Sequence, residues 1–235
     1  MKLHEYKTRE EYVAIQIERS RAKTQYCKVF FSDAIRYKQL LRVHLAAQHA
    51  TRAVKPLSPI LCLGVRSGAE VDLFRSVFFG PLLNFKWVRQ LAVRWDTTTL
   101  GSHKIRLARI LGLGNGSLRD GKVIGVEIAP EVNRPDIWIG SFDELPAEWA
   151  GKFRVLYSNS IDHAQDPERT VAEWKRVAAP GAYVILAFTP NQKSSAHDPI
   201  GGMGLKEWKQ LWKAPVVFSN TSDNAVGYSE ICFQL

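Results

Sequence analysis

The sequence predicts an α/β protein with a mostly parallel sheet of seven strands and helices on both faces. Three observations carry that prediction. Short apolar runs rich in β-branched residues alternate with segments of helical periodicity, as in chains built of β-α-β units. The run Ile60-Leu61-Cys62-Leu63 passes straight into a turn holding Gly64 and Gly68, and then into a helix. A second run, Val123-Ile124-Gly125-Val126-Glu127-Ile128, ends on a carboxylate. Open α/β sheets bind ligands outside the C-terminal ends of their strands, where such a group would stand.

The elements follow in order. Residues 8–54 read as helices: Tyr12, Ile15 and Ile17, then Ile35, Leu40, Leu41, Val43 and Leu45, recur at helical spacing with charges between them. Lys55-Pro56-Leu57-Ser58-Pro59 ends this region, because proline breaks a helix and favours extended backbone before it. The chain divides there into an N-terminal helical segment, 1–55, and a main domain, 56–235. Strand 60–63 leads to a helix over 69–78. Strands follow at 123–128, 136–139 and 153–158. A helix over 166–178 opens on Asp166-Pro167, a capping acid followed by a residue suited to the first turn. Pro180-Gly181 is a turn before a fifth strand, 182–188. A helix over 205–212 and two closing strands, 215–218 and 228–233, complete the sheet.

Composition narrows the class. Of 235 residues, 46% are hydrophobic and 23% charged, the balance of an ordinary globular protein. No apolar run reaches the roughly 18 residues of a membrane span, and Met1-Lys2-Leu3-His4-Glu5 lacks the apolar core of a secretory signal. Cys27, Cys62 and Cys232 are isolated and odd in number, which argues against a zinc site or a disulfide framework and for a reducing cytoplasm. The net charge of +9 is uneven: residues 1–55 hold 12 Lys/Arg against 5 Asp/Glu, 75–122 hold 9 against 2, and 123–235 hold 10 against 14. That asymmetry fits either a solvated basic surface or an anionic partner such as nucleic acid.

A longer pattern lies in the C-terminal half: Gly140-Ser141-Phe142-Asp143-Glu144-Leu145-Pro146, then Phe153-Arg154-Val155-Leu156-Tyr157-Ser158-Asn159-Ser160-Ile161-Asp162-His163, Asp166-Pro167-Glu168, Glu173-Trp174-Lys175-Arg176-Val177 and Pro180-Gly181. In order and spacing it resembles the class I S-adenosylmethionine-dependent methyltransferases, in particular the type 11-like branch that acts on small molecules. The resemblance spans about 60–70 and 123–190. It implies a Rossmann-like fold and S-adenosylmethionine as cofactor. Backbone around Gly64, Val65, Arg66 and Gly68 would wrap the methionine portion. Glu127, with Ile128 beside it, would receive the ribose hydroxyls. Ser141 and Phe142 would hold the adenine, and Ser158 and Asn159 would meet the methionine ammonium and the transferable methyl. Asp162 and His163 would face the acceptor, with His163 either a general base or a support for the loop. Methyl transfer from a sulfonium is largely a matter of positioning, so a base is optional.

Three positions depart from the family pattern. Cys62 and Ser141 stand where an acid is common, and Arg66 replaces the middle glycine of Gly-x-Gly-x-Gly. The Arg66 side chain must therefore point away from the ligand or contact its carboxylate. A ribose-binding acid usually follows the glycine turn by about 20 residues; Glu127 follows Gly68 by 59, leaving an insertion over about 80–122. Phe85, Val88, Leu91, Ala92 and Trp95 form an apolar stripe there beside Lys86, Arg89 and Arg94, and a second segment carries Lys104, Arg106 and Arg109. This is either a core-facing helix with a solvated face or a platform for an anionic acceptor. Gly112-Leu113-Gly114-Asn115-Gly116 follows a helix-like segment, so it reads as a helix end and not as a phosphate loop. The loop 189–204, with His197, Asp198 and Gly201-Gly202, is a candidate wall of the acceptor pocket. The expected activity is methyl transfer to oxygen or nitrogen of a small-molecule, sugar or lipid-like acceptor. A nucleic-acid acceptor, and a non-catalytic binding protein on the same fold, are the alternatives.

Overall fold

The computed structural model describes residues 1–22, 31–48, 56–80, 87, 90, 122–221 and 229–235. The insertion's apolar and basic positions, apart from single residues, and the Gly112–Gly116 run lie outside them. Strands β1 (Lys2–Leu3), β2 (Ile60–Leu63), β3 (Val123–Glu127), β4 (Ile137–Ile139), β5 (Phe153–Ser158), β6 (Ala178–Phe188), β7 (Ile200–Gly201), β8 (Val216–Thr221) and β9 (Ser229–Gln234) are joined by helices α1 (Arg9–Ala22), α2 (Phe31–Gln48), α3 (Ala69–Phe79), α4 (Pro167–Val177) and α5 (Leu205–Trp212). Seven strands form one sheet in the order β4-β3-β2-β5-β6-β9-β8. The first five of these run parallel, and β9 is antiparallel to both neighbours. The predicted fold class is the observed one.

The strands alternate strictly. Ile60 and Cys62, Val155 and Tyr157, Tyr183 and Ile185 join one core with α2 and α3, while Leu61 and Leu63, Leu156, Val184 and Leu186 join the other with α4 and α5. A period of two presents successive side chains to opposite faces, so the central strands β2, β5 and β6 carry apolar residues at successive positions because both faces are covered. Trp174, Trp208 and Trp212 fill the second core from the two helices. Asp166 caps α4 as predicted, its Oδ1 accepting from the amides of Glu168 and Arg169 at 3.0 Å each.

Three local features differ from the sequence prediction. Pro180-Gly181 does not end a turn before the strand but lies inside β6, where the pairing with β5 shifts register between Phe153 and Val155 and Gly181 takes φ 74°. Across that shift β5 advances two residues and β6 five, from Ala178 to Tyr183, so three extra β6 residues bow out of the ladder, and Gly181 takes the left-handed backbone of that bow at little cost. In α2 the buried stripe is Phe31, Ala34, Tyr37, Leu41 and Leu45; Val43, two residues out of phase, is 68% exposed. The N-terminal strand β1 pairs antiparallel with β7, Lys2 opposite Gly201 and Leu3 opposite Ile200, tying the first residues to the 189–204 loop.

A buried ion network pins β4 to α3. Arg134 grips Asp72 bidentately at 2.8 and 2.9 Å and reaches both oxygens of Asp136 at 2.9 and 2.8 Å, while Arg75 lies 3.4 Å from Asp136 and donates to the Val123 carbonyl at 2.8 Å. No helix among the described residues is long and apolar enough to cross a membrane.

Candidate functional site

From β2 the chain moves outward through β3 to β4, then returns to the other side of β2 at β5. The direction of winding reverses between β2 and β5, and a crevice opens there at the C-terminal strand ends. In this molecule it is a narrow cleft of about 50 Å³. Its floor is the end of β2. Gly64, at φ 77°, donates its N–H to the Val126 carbonyl at 2.9 Å, and a Cβ at this position would lie 2.6 Å from the Ser160 Cβ. Only glycine satisfies both the left-handed backbone and the contact. Arg66 adopts φ 47° without being glycine, and its N–H points back to Glu127.

Glu127 ends β3 and is 2% exposed. A buried carboxylate needs compensating donors, and this one has three. Oε2 accepts from the Arg66 amide at 2.6 Å; Oε1 accepts from the Ala129 amide at 3.0 Å and from the Ser20 hydroxyl at 2.7 Å. Two carboxylate oxygens offer about four lone-pair sites, so little capacity remains.

Of the residues singled out from sequence, Gly64, Arg66, Glu127, Ile128, Ser141, Phe142 and His163 line the cleft together. The ring of Phe142 meets Trp174 edge-on at 5.6 Å, and its carbonyl accepts from the Trp174 indole at 3.0 Å. Ser141 shares its hydroxyl with Asp143 at 3.3 Å. The others stand behind this surface. Val65 is 1% exposed and packs in the core. A Cβ on Gly68 would strike Ile137 and the Arg134 guanidinium. The Ser158 hydroxyl is spent on the Leu63 carbonyl at 3.0 Å. Asn159 donates from Nδ2 to Glu70 at 3.3 Å, and Asp162 accepts from Gln192 Nε2 at 2.9 Å.

His163 has a defined tautomer. Gln16 donates its amide nitrogen toward the carbonyls of Ala196 and His197 at 3.4 and 3.3 Å, so its oxygen faces His163 Nδ1 at 2.8 Å and must accept. With this Gln16 orientation Nδ1 donates, and Nε2, which lies 3.5 Å from Asp198 and 3.8 Å from Asp162, holds the lone pair of the neutral ring. Burial pushes the His163 pKa down, opposed by Asp162 and Asp198 and reinforced by Arg66 and Arg19. The ring is thus mostly neutral near pH 7. Asp162, His163 and Asp198 bring three ligand-type atoms within 4.8 Å of one another. Gln192 on Asp162, Gln16 on His163, and Arg19 at 3.5 Å from Asp198 tie each of them into the protein.

The sequence reading missed one wall entirely. Helix α1 lies over the cleft, contributing Tyr12, Gln16, Arg19 and Ser20. Tyr12 donates to the His163 carbonyl at 2.9 Å, and Tyr6 to the Ala196 carbonyl at 2.7 Å. Together with the β1–β7 pairing these contacts make residues 1–22 a strap from the 189–204 loop to Glu127. The signal was present: Tyr12, Gln16 and Ser20 recur every four residues and so share one helix face. The apolar Ile15 and Ile17 masked it.

No protein-family model matches the chain, and no curated protein matches it. Among solved structures it is similar to the 1,6-didemethyltoxoflavin-N1-methyltransferase of Burkholderia thailandensis, solved with bound 1,6-didemethyltoxoflavin and S-adenosylhomocysteine. The two are 12% identical over 98% of this chain and 92% of that one, with a TM-score of 0.50. It is also similar to a Thermotoga maritima S-adenosylmethionine-dependent methyltransferase, a possible histamine N-methyltransferase, at 14% identity, 95% and 97% coverage and TM-score 0.46. A third is the putative methyltransferase in complex with the Haloferax volcanii Trm112 methyltransferase activator, at 15% identity, 97% and 98% coverage and TM-score 0.48. The fold is that of the class I methyltransferases.

Proposed function

We propose that the chain is an S-adenosylmethionine-dependent methyltransferase that transfers a methyl group to an oxygen or nitrogen of a small-molecule, sugar or lipid-like acceptor. One observation carries the reading: a buried carboxylate, Glu127, held by backbone amides at the end of β3 on the wall of the switch-point cleft. Diols with a fixed geometry, such as a ribose, bind well to a carboxylate whose oxygens are already oriented. The Burkholderia thailandensis relative in fold holds S-adenosylhomocysteine, which supports the choice of cofactor.

The chain's residues fit the group. Glu127 would accept the ribose hydroxyls, and Phe142, lining the same cleft, would lie against the adenine. Gly64 would let the backbone approach the methionine portion. The cofactor would supply a methyl group already activated on a sulfonium. Residues 1–22 would exclude water and hold the acceptor close, the larger part of catalysis for a reaction of this kind. The His163 Nε2 lone pair, set by Gln16, would receive the acceptor's proton if that proton must leave early. Titration calorimetry with S-adenosylmethionine and S-adenosylhomocysteine tests the reading. Saturable binding in the micromolar range is expected, and absence of heat at millimolar cofactor rejects it.

Ser20 gives a second expectation. Its hydroxyl holds Glu127 Oε1, the atom a ribose needs, so α1 must yield as the cofactor enters. Ser20→Ala should therefore tighten S-adenosylhomocysteine binding about fivefold, the worth of one net hydrogen bond of ~1 kcal/mol. The same change should lower Tm by about 2–4 °C. Weaker binding would instead make Ser20 one of the groups that hold the ribose.

A further inference from the structure

A free amino-acid tail is a zwitterion, with a carboxylate and an ammonium on one carbon. Taking it out of water requires a fixed cation for the first and a fixed anion for the second, because neither charge is tolerated unpaired in a closed site. Arg66 in the glycine turn and Glu70 at the start of α3 supply such a pair. Arg66 lines the cleft, and among the described residues its guanidinium has no hydrogen bond or ion pair. It also keeps a left-handed backbone, φ 47°, that a glycine would adopt freely. A strained non-glycine residue at a ligand site points to a use for its side chain.

Glu70 lies four residues further on, in the first turn of α3, and is 5% exposed. Asn159, immediately after β5, donates to its Oε1 at 3.3 Å, while its Oε2 is buried with no hydrogen-bond partner among the described residues. A buried orphan carboxylate oxygen is rare and costly, and it demands an explanation. Both residues lie at the β2–β5 switch point: Arg66 follows the end of β2 by three residues and faces the cleft, and Glu70, whose carboxylate feels the Arg66 charge, lies behind the cleft surface, held by Asn159 just after β5.

We propose that Arg66 and Glu70 form a receptor for the zwitterionic amino-acid tail of the cofactor, the guanidinium taking the carboxylate and the Asn159-oriented carboxylate taking the ammonium. The inference rests on the methyltransferase reading. It also accounts for two departures from the family pattern. The acid missing at Cys62, a buried thiol whose titration feels Glu70, is supplied from α3, and the arginine in place of a glycine acquires a role.

The groups facing Glu70 fix the sign of a pH effect. Burial raises its pKa to about 7; its own backbone amide, Arg66 and Asn159 oppose that, and Glu127 adds to it. Cys62 remains a neutral thiol, pushed up by burial. An ammonium placed on Glu70 favours the ionised form, so binding near pH 6.5 should release a proton from Glu70.

The test compares S-adenosylhomocysteine with 5′-methylthioadenosine, which has the same nucleoside and thioether but no amino-acid tail. By calorimetry, Glu70→Gln and Arg66→Gly should each weaken S-adenosylhomocysteine at least tenfold and leave 5′-methylthioadenosine within about twofold. Arg66→Gly relieves the left-handed backbone, so its folding is safe. Heats in buffers of different ionisation enthalpy should show proton release by the wild-type chain and none by Glu70→Gln. Equal losses for both ligands, or no loss for S-adenosylhomocysteine, would overturn the receptor while leaving the methyltransferase reading intact. Binding of neither ligand by the wild-type chain would overturn both.

Discussion

Glu127→Ala removes cofactor binding at concentrations that saturate the wild-type chain, a loss of at least 100-fold in affinity for S-adenosylhomocysteine. Two ribose hydroxyls donating to an ionised acceptor are worth about 1.5–3 kcal/mol each. Their joint loss, ~3–6 kcal/mol, corresponds to roughly 10²–10⁴ in Kd. The substitution also frees the Arg66 and Ala129 amides and the Ser20 hydroxyl, which now converge on Glu127. The turn that wraps the methionine portion loses its anchor, so the damage extends past the ribose. Glu127→Gln keeps the shape and one acceptor oxygen and should fall between the two. Calorimetry on variants shown by circular dichroism to be folded gives the measurement. An unchanged Kd for Glu127→Ala would remove the ribose from this carboxylate.

Most of the fold could be read from local pattern, because buried parallel strands are apolar along their whole length and their helices carry recognisable caps. Strand 60–63 and helix 205–212 were predicted at their observed bounds, and Asp166 caps α4 as expected. What could not be read was decided by distant contacts. No local signal marks Lys2–Leu3 as a strand, since its partner lies almost two hundred residues away. Glu70 reads as an ordinary acid in a helix first turn; only Asn159, across the sheet, and burial make it unusual. Val43 counted with the α2 stripe by hydropathy, yet the phase set by Leu41 and Leu45 turns it outward. The strap over the cleft was overlooked because its inward face is polar: Tyr12, Gln16 and Ser20 serve the site, and an apolar criterion passes over them.

The two halves of the cleft differ in how they are built. The residues legible in sequence form the fixed half of the cleft, built on strand ends. The illegible ones form the covering half, attached by hydrogen bonds from Tyr6, Tyr12 and Gln16 and by a two-residue strand pair. Side-chain hydrogen bonds of this kind can be exchanged for water when the covering half lifts, so each opposes opening by only about 1 kcal/mol. A cover of that kind suits a site whose carboxylate must exchange Ser20 for a ribose hydroxyl.

The largest stability effect should come from beneath the fixed half. Asp136 is fully buried and receives Arg134 through two hydrogen bonds and Arg75 at 3.4 Å. Asp136→Ala removes the buried carboxylate that Arg134 and Arg75 share, leaving Arg134 with Asp72 and Arg75 with the Val123 carbonyl, and removing one partner from a buried ion network costs far more than the network contributed. Breaking such a pair costs about 3–5 kcal/mol. At about 2–4 °C per kcal/mol for a chain of this size, Tm should fall by about 6–20 °C. Asp136→Asn retains an acceptor for Arg134 and should lose less. The effect should reach the site, because the network fixes β4 against α3 and the residues following β4, Ser141 and Phe142, line the cleft. Cofactor affinity should therefore weaken alongside Tm, though by less than for Glu127→Ala, since the carboxylate on β3 keeps its own donors. A melting curve within 2 °C of wild type would show that water or a rearranged Arg134 compensates the loss, and that β4 is held by its pairing with β3 alone.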